Sequence, residues 1–232
     1  MRDSAVKITG SSLAGKTVHL VVTGGIAAVE TVRLARELRR HGASIMVTMT
    51  DEATKIITPL AVGWATGSQV NIGWSSDLPG LEMPDIVVVA PATRNTLSKI
   101  SAGVMDDPAM MAISAASGAG RPILLVPSMH DDLFDDPVTQ ELLATMRGMG
   151  HHVLTSPSEE GRRKQPLPEV IVRRVCHLAN GDRSGLCDVA VFYGATSSNI
   201  DPVRVITNTS SGRTGFMAVS YTHLTLPTRI FV

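Results

Sequence analysis

Three short stretches place small, hydroxyl-bearing and amide side chains directly after apolar runs. Thr23-Gly24-Gly25-Ile26 follows residues 18–22, Thr50 closes residues 44–49, and Pro91-Ala92-Thr93-Arg94-Asn95-Thr96 follows residues 86–90. Neutral donors at the end of a buried strand, where a helix opens, suit an anion, because the first helical N–H groups lack partners and carry partial positive charge. Thr93 and Asn95 would serve equally well as helix caps, so this stretch alone leaves capping and ligand binding both open. A fourth such end, Ser128-Met129-His130 after residues 122–127, adds an imidazole.

The elements that must position these residues follow from hydrophobic spacing. Residues 86–90 form an almost purely apolar, β-branched run, as in a strand buried on both faces of a parallel sheet. Leu97, Ile100 and Val104 then recur at helical spacing. Residues 18–22 are a first strand. Val32, Leu34, Ala35 and Leu38 share a helical face with Arg33, Arg36, Arg39 and Arg40 largely off it, and Gly42 ends that helix. Residues 44–49 complete a strand–Gly turn–helix–strand unit of the mononucleotide-binding kind. TGGIAA is not GxGxxG. Asp51 and Glu52 lie near where a dinucleotide fold places its ribose acid, but Thr50 comes first, which favours a mononucleotide.

Further along, residues 51–67 read as mainly helical with a break near Pro59, and residues 70–84 as a loop. Residues 109–117 form a helix whose Met110, Met111 and Ile113 suit a core or a subunit contact. Residues 122–127 are a strand, 137–148 an amphipathic helix, 152–155 a short strand and 169–178 a closing helix. Strands alternating with helices predict an α/β fold with a doubly wound, Rossmann-like parallel sheet. Ligands of such sheets bind outside the carboxyl ends of the strands, where the polar residues fall.

Composition narrows the function classes. The 232 residues carry zero formal net charge and 3% aromatics, which argues against nucleic acid as a partner. No run is long enough for a membrane span. Cys176 and Cys187 are far from a CxxC spacing, as in reduced cytoplasmic thiols, and no metal-ligand cluster stands out.

From about residue 15 to 178, VTGGIAA, MTDEATKIITP, VVVAPATRNTLSKISAGVMDD and PSMHDDLF together resemble the flavin-containing cysteine decarboxylases, in particular those acting on phosphopantothenoylcysteine. PATRNT resembles the family's PASANT-type motif. PSMH resembles its P-x-M-N motif, with His130 where bacterial members carry Asn and archaeal members a His. The resemblance implies FMN, held by Gly24, Gly25, Ile26, Thr50, Thr93, Asn95 and Thr96 between subunits of a homotrimer or a multiple of trimers. It implies a small-molecule substrate, 4′-phosphopantothenoylcysteine, contacted by Met129 and His130 and converted to 4′-phosphopantetheine in coenzyme A synthesis. In that reaction the cysteine CH₂–SH is oxidised to a thioaldehyde, CO₂ leaves, and reduced flavin returns the hydride.

Two departures stand out. The family's active-site His precedes the PASANT strand, whereas residues 70–84 contain Asp77 and Glu82 and no His. The Cys-containing substrate flap has no counterpart in residues 158–169, a gap shared by archaeal members. His130 becomes the candidate acid–base, or a hydrogen-bonding substrate contact only, with Asp77 or Glu82 the next candidate. An FMN protein without decarboxylase activity, serving electron transfer or regulation, is the alternative. A UbiX-like flavin prenyltransferase is a weaker one.

The expected division is a loose leader over 1–14, an FMN-binding decarboxylase-like domain over 15–180 and a linker over 181–188. Residues 189–219 resemble the truncated start of a phosphopantothenate–cysteine ligase, with Asn208, Ser210, Ser211 and Gly212 in its opening motif, and ligase activity is not expected. Residues 220–232 resemble translated adapter sequence, a non-native tail, although their composition also suits a strand.

Overall fold

The computed structural model describes residues 3–74 and 83–181, together with two short strands at 197–199 and 205–207. The chain runs β1 (Thr17–Val22), a 3-10 turn (Ile26–Glu30), α1 (Thr31–Arg40), β2 (Ser44–Met49), α2 (Asp51–Thr54), α3 (Pro59–Thr66) and β3 (Val70–Ile72). It continues with β4 (Ile86–Ala92), α4 (Arg94–Ala102), α5 (Pro108–Gly118), β5 (Ile123–Pro127), β6 (Met129–His130) and α6 (Asp131–Phe134). Then come α7 (Pro137–Gly148), β7 (His152–Val153), β8 (Arg162–Arg163), α8 (Pro168–Ala179), β9 (Ser197–Asn199) and β10 (Val205–Thr207).

Six strands form one sheet in the order β3-β2-β1-β4-β5-β7, every neighbouring pair parallel. The strand order reverses between β1 and β4, so a crevice opens where the two chain directions diverge. Alternation along the strands builds two apolar layers. Leu20, Val22, Ile86 and Val88 face Leu34 and Leu38 of α1 and Ile171 and Val175 of α8. Val21, Val87 and Val89 face Leu97 of α4, Ile113 of α5 and Leu143 and Met146 of α7. This is the doubly wound α/β sheet expected from the alternation of elements. Met110 joins the second layer, while Met111 is half-buried.

One polar pair interrupts the sheet interior. His19 of β1 is buried with its Nε2 2.8 Å from Thr48 Oγ1 of β2. Burial depresses the imidazole to about 4, so it is held neutral.

Several expectations need correction. The stretch before β1 is not loose. Leu13 is fully buried, Asp3 is 3% exposed, and the Asp3 carboxylate pairs with Arg36 at 3.0 Å. Arg39 does not sit off the packed face of α1. It is buried and donates to Ala65 O at 2.8 Å and Asp3 O at 2.7 Å, so two backbone carbonyls satisfy a guanidinium that the helical wheel had assigned to solvent. Within the stretch read as a loop, Val70–Ile72 pairs with β2 as an edge strand. The short strand after α7 ends at Val153 rather than 155.

Candidate functional site

β1, β2 and β4 end on one edge of the sheet, and the turns that leave them are tied together. Thr23 Oγ1 donates to Pro91 O at 2.7 Å and accepts from Thr93 N at 3.3 Å. Thr50 accepts from Ala53 N at 3.3 Å as the cap of α2. Thr93 caps α4, accepting from Thr96 N at 3.3 Å, and its hydroxyl lies 2.9 Å from that of Thr96. Capping accounts for one amide of the first turn of α4. The remaining early amides have no partner within the helix.

These turns enclose a cleft of about 450 Å³ lined by Thr23, Gly24, Thr50, Thr93, Asn95 and Thr96. Gly24 is required there, since a Cβ would come within 2.4 Å of Glu52 Cβ. The β1 turn can approach the start of α2 only without a side chain. Met49, Pro108 and Met110 supply apolar surface, and Gly73 and Trp74 stand at the β3 side. Asp51 and Glu52 lie on the α2 side, with Glu52 held 2.6 Å from Lys55. On the α4 side Lys99 meets Asp106 at 2.8 Å and Asp107 at 3.7 Å. The Asp106 hydrogen bond raises Lys99 above the usual lysine range, so the ammonium stays charged. Asp107 in turn caps α5 through Met110 N at 2.9 Å, which fixes the α4–α5 corner.

Chemically the lining is suited to binding. Its hydroxyls, amide and helix amides match a phosphate and a polyol, and the carboxylates of the α2 side would repel a phosphate toward α4. The described lining contains neither His nor Cys, so it offers no imidazole or thiol to move protons. Among the described residues no group of three or more His, Cys, Asp and Glu is arranged for a metal, and no helix is long and apolar enough to cross a membrane.

Of the residues singled out from sequence, Gly24, Thr50, Thr93, Asn95 and Thr96 line the cleft. Gly25 and Ile26 do not. A Cβ on Gly25 would meet Pro91 Cγ at 3.2 Å, and Ile26 is 77% exposed at the start of the 3-10 turn. Met129 and His130 also lie outside the lining, on β6, where His130 is exposed. Asp77, Asn208, Ser210, Ser211 and Gly212 lie outside the described residues. Sequence reasoning missed Trp74 and the Lys99–Asp106–Asp107 corner. The signal for the corner was present, since Asp107 followed by Pro108 is an N-cap and first-turn pair.

Comparison with known proteins gives the family and the fold. A family profile described as Flavoprotein matches residues 7–180. The chain belongs to the flavoprotein family. A second profile, the DNA/pantothenate metabolism flavoprotein C-terminal domain, matches residues 186–224. Among curated relatives, the coenzyme A biosynthesis bifunctional protein CoaBC of Thermococcus kodakarensis is 40% identical over 210 residues, covering 88% of this chain and 52% of that protein. CoaBC of Methanocaldococcus jannaschii is 32% identical over 208 residues, covering 88% and 51%. The chain therefore spans about half the length of the curated relatives it matches. Among solved structures, an FMN-dependent cysteine decarboxylase, SpaF, aligns with a TM-score of 0.64 at 22% identity over 72% of this chain and 98% of that one. A PPC decarboxylase mutant complexed with pantothenoylaminoethenethiol aligns at 0.60 and 20% identity, over 69% and 96%. At such identities these likenesses speak for the fold.

Proposed function

We propose that this flavoprotein binds FMN in the cleft and decarboxylates 4′-phosphopantothenoylcysteine to 4′-phosphopantetheine, a step of coenzyme A synthesis. The observation that carries the reading is the cleft itself: neutral donors on three adjoining strand ends, a glycine that admits no Cβ, and no imidazole or thiol of its own. Such a site binds a group that brings its own chemistry. The likeness to the CoaBC proteins supports the choice of reaction.

The residues fit FMN. Thr93, Asn95 and Thr96, with the first-turn amides of α4, would take the phosphate, and Thr23 and Thr50 the ribityl hydroxyls. Met49, Met110 and Trp74 offer apolar surface to a ring system. When bound, FMN supplies a two-electron sink for oxidising the substrate's CH₂–SH. The chain's own contribution is position. The Thr23–Pro91 and Thr93–Thr96 contacts lock the turns before any ligand arrives, so little ordering remains at binding.

His130 is proposed as the substrate contact and as the candidate proton carrier. It is exposed on β6 and has no side-chain cap bond, so it is available to a substrate seated in the cleft of a neighbouring copy. Self-association as a homotrimer or a multiple of trimers agrees with the exposed Ile26 and Val29 beside the cleft, at 77% and 51%. We further propose a cytoplasmic location and a functional unit over residues 15–180, with Asn208, Ser210, Ser211 and Gly212 belonging to a ligase-like segment. The absence of a His from residues 70–84, where the resemblance expects one, favours a second reading, an FMN protein that does not decarboxylate. Purified protein should be yellow and release FMN on denaturation. Recovery of NAD or FAD instead would refute the site assignment.

A further inference from the structure

The residues after β5 form a second, differently built surface at the carboxyl end of the sheet. β6 and β8 pair antiparallel with Met129 opposite Arg163 and His130 opposite Arg162. Residues directly across a ladder share a face, so the His130 and Arg162 side chains leave the same side of the strand pair, and both residues are exposed. β8 is entered through a tight turn of its own: Glu159 bridges Arg162, and Glu160 and Gly161 between them have φ of 55° and 72°, the left-handed geometry such a two-residue turn requires at both central positions. Glu160 is the described non-glycine residue with such a φ, and backbone of this kind persists only where its surroundings hold it. Here Asp131 N donates to Gly161 O at 3.0 Å, and Ser158 Oγ hydrogen-bonds the Asp131 carboxylate.

Three consecutive cations occupy this hairpin, and two are committed to it. Arg163 lies over the Phe134 ring at 4.3 Å and near Asp131 and Asp135 at 3.7 and 3.9 Å. Lys164 pairs with Glu159 at 3.1 Å and Glu160 at 3.2 Å. Arg162 has no ion pair or side-chain hydrogen bond among the described residues. With Arg163 set against the carboxylates of Asp131 and Asp135 and Lys164 against Glu159 and Glu160, one planar, five-donor group is left on the strand opposite His130. That pairing is suited to a bidentate oxyanion.

We propose that Arg162, next to His130, recognises an anionic oxygen group of the substrate. This rests on the decarboxylase reading, whose substrate carries two such groups, a phosphate at one end and the cysteine carboxylate at the other. The two ends are too far apart for one hairpin to serve both, so the identity of the anion also fixes His130. On the carboxylate, His130 stands at the reacting end and can move protons there. On the phosphate, it binds only.

The test uses the FMN-loaded full chain and calorimetric affinities for three ligands: pantothenoylcysteine, with the carboxylate alone; 4′-phosphopantetheine, with the phosphate alone; and pantetheine, with neither. Arg162→Ala should weaken one of the two anionic ligands by about five- to tenfold, as expected for loss of an exposed but bidentate charged pair. Pantetheine should be unaffected, Arg162→Lys should restore part of the loss, and the difference should shrink at high salt. Unchanged affinity for both anions, or an equal loss with pantetheine, overturns the proposal. Turnover of phosphopantothenoylcysteine by the unsubstituted protein is read separately. If it fails while the Arg162-dependent discrimination persists, the reaction assignment falls and the anion site stands. If turnover occurs without discrimination, only the anion site falls, and if none of the ligands binds, both do.

Discussion

The cleft on β1, β2 and β4 and the hairpin after β5 lie at the same end of one sheet, yet they are built on opposite principles. In the cleft the polar groups bond to one another: Thr23 to Pro91, Thr93 to Thr96, and Lys99 to Asp106 and Asp107. On the hairpin two cations hold the backbone, and His130 and Arg162 are left exposed and uncommitted. A preorganised cleft whose polar groups are already tied to one another suits a cofactor that stays. An exposed pair of titratable and charged groups suits a ligand that comes and goes. The difference teaches that cofactor retention and substrate handling should be separable by mutation.

The largest separation is expected at His130. If it carries the proton, His130→Asn should lower turnover by about 10²–10⁴-fold, the usual contribution of a general acid–base, with the flavin spectrum intact. Normal turnover in that variant would make His130 a binding residue only.

Acid should destabilise the sheet through His19. Folding depresses His19 from its usual 6.5 to about 4 by burial, so the folded state prefers the neutral imidazole. The resulting stability is fully present above about pH 6.5 and is lost as pH falls toward 4, a change on the order of 3 kcal/mol. Melting temperatures of the native protein and His19→Gln across this window should show a shallower slope in the variant. Parallel slopes would exclude His19 as the source.

Gly24→Val should break the cleft without touching the hairpin. A Cβ 2.4 Å from Glu52 Cβ forces the β1 turn and α2 apart, at a cost of about 1–3 kcal/mol. FMN retention on a desalting column should be lost. A smaller effect is expected from Asn95→Asp, which sets a carboxylate beside the proposed phosphate. At about 1 kcal/mol for unit charges a few ångströms apart in water, FMN affinity should fall roughly fivefold.

Much of this division could be read from the sequence, for physical reasons that differ by residue. Residues 86–90 announce a doubly covered strand because no polar side chain interrupts them, and Thr23, Thr50 and Thr93 fall at strand ends by simple counting. The buried Arg39 was not legible. Its partners, the carbonyls of Asp3 and Ala65, are far away in the chain and carry no side-chain signature. The same holds for the anchored residues before β1, whose polar composition disguised a fully buried Leu13. The motif groups Gly25 and Ile26 with the cofactor ligands, whereas the geometry sets them beside the cleft rather than in its lining. The pairing of His130 with Arg162 joins two two-residue strands far apart in the chain, which no hydrophobic period reveals.

The measurement that tests the account most directly is CO₂ release from 4′-phosphopantothenoylcysteine by the FMN-loaded chain, followed together with thiol product. The account predicts one CO₂ and one 4′-phosphopantetheine per substrate consumed, with activity lost when the flavin is removed and regained on adding FMN. A yellow, FMN-saturated protein that binds the substrate and releases no CO₂ would contradict it.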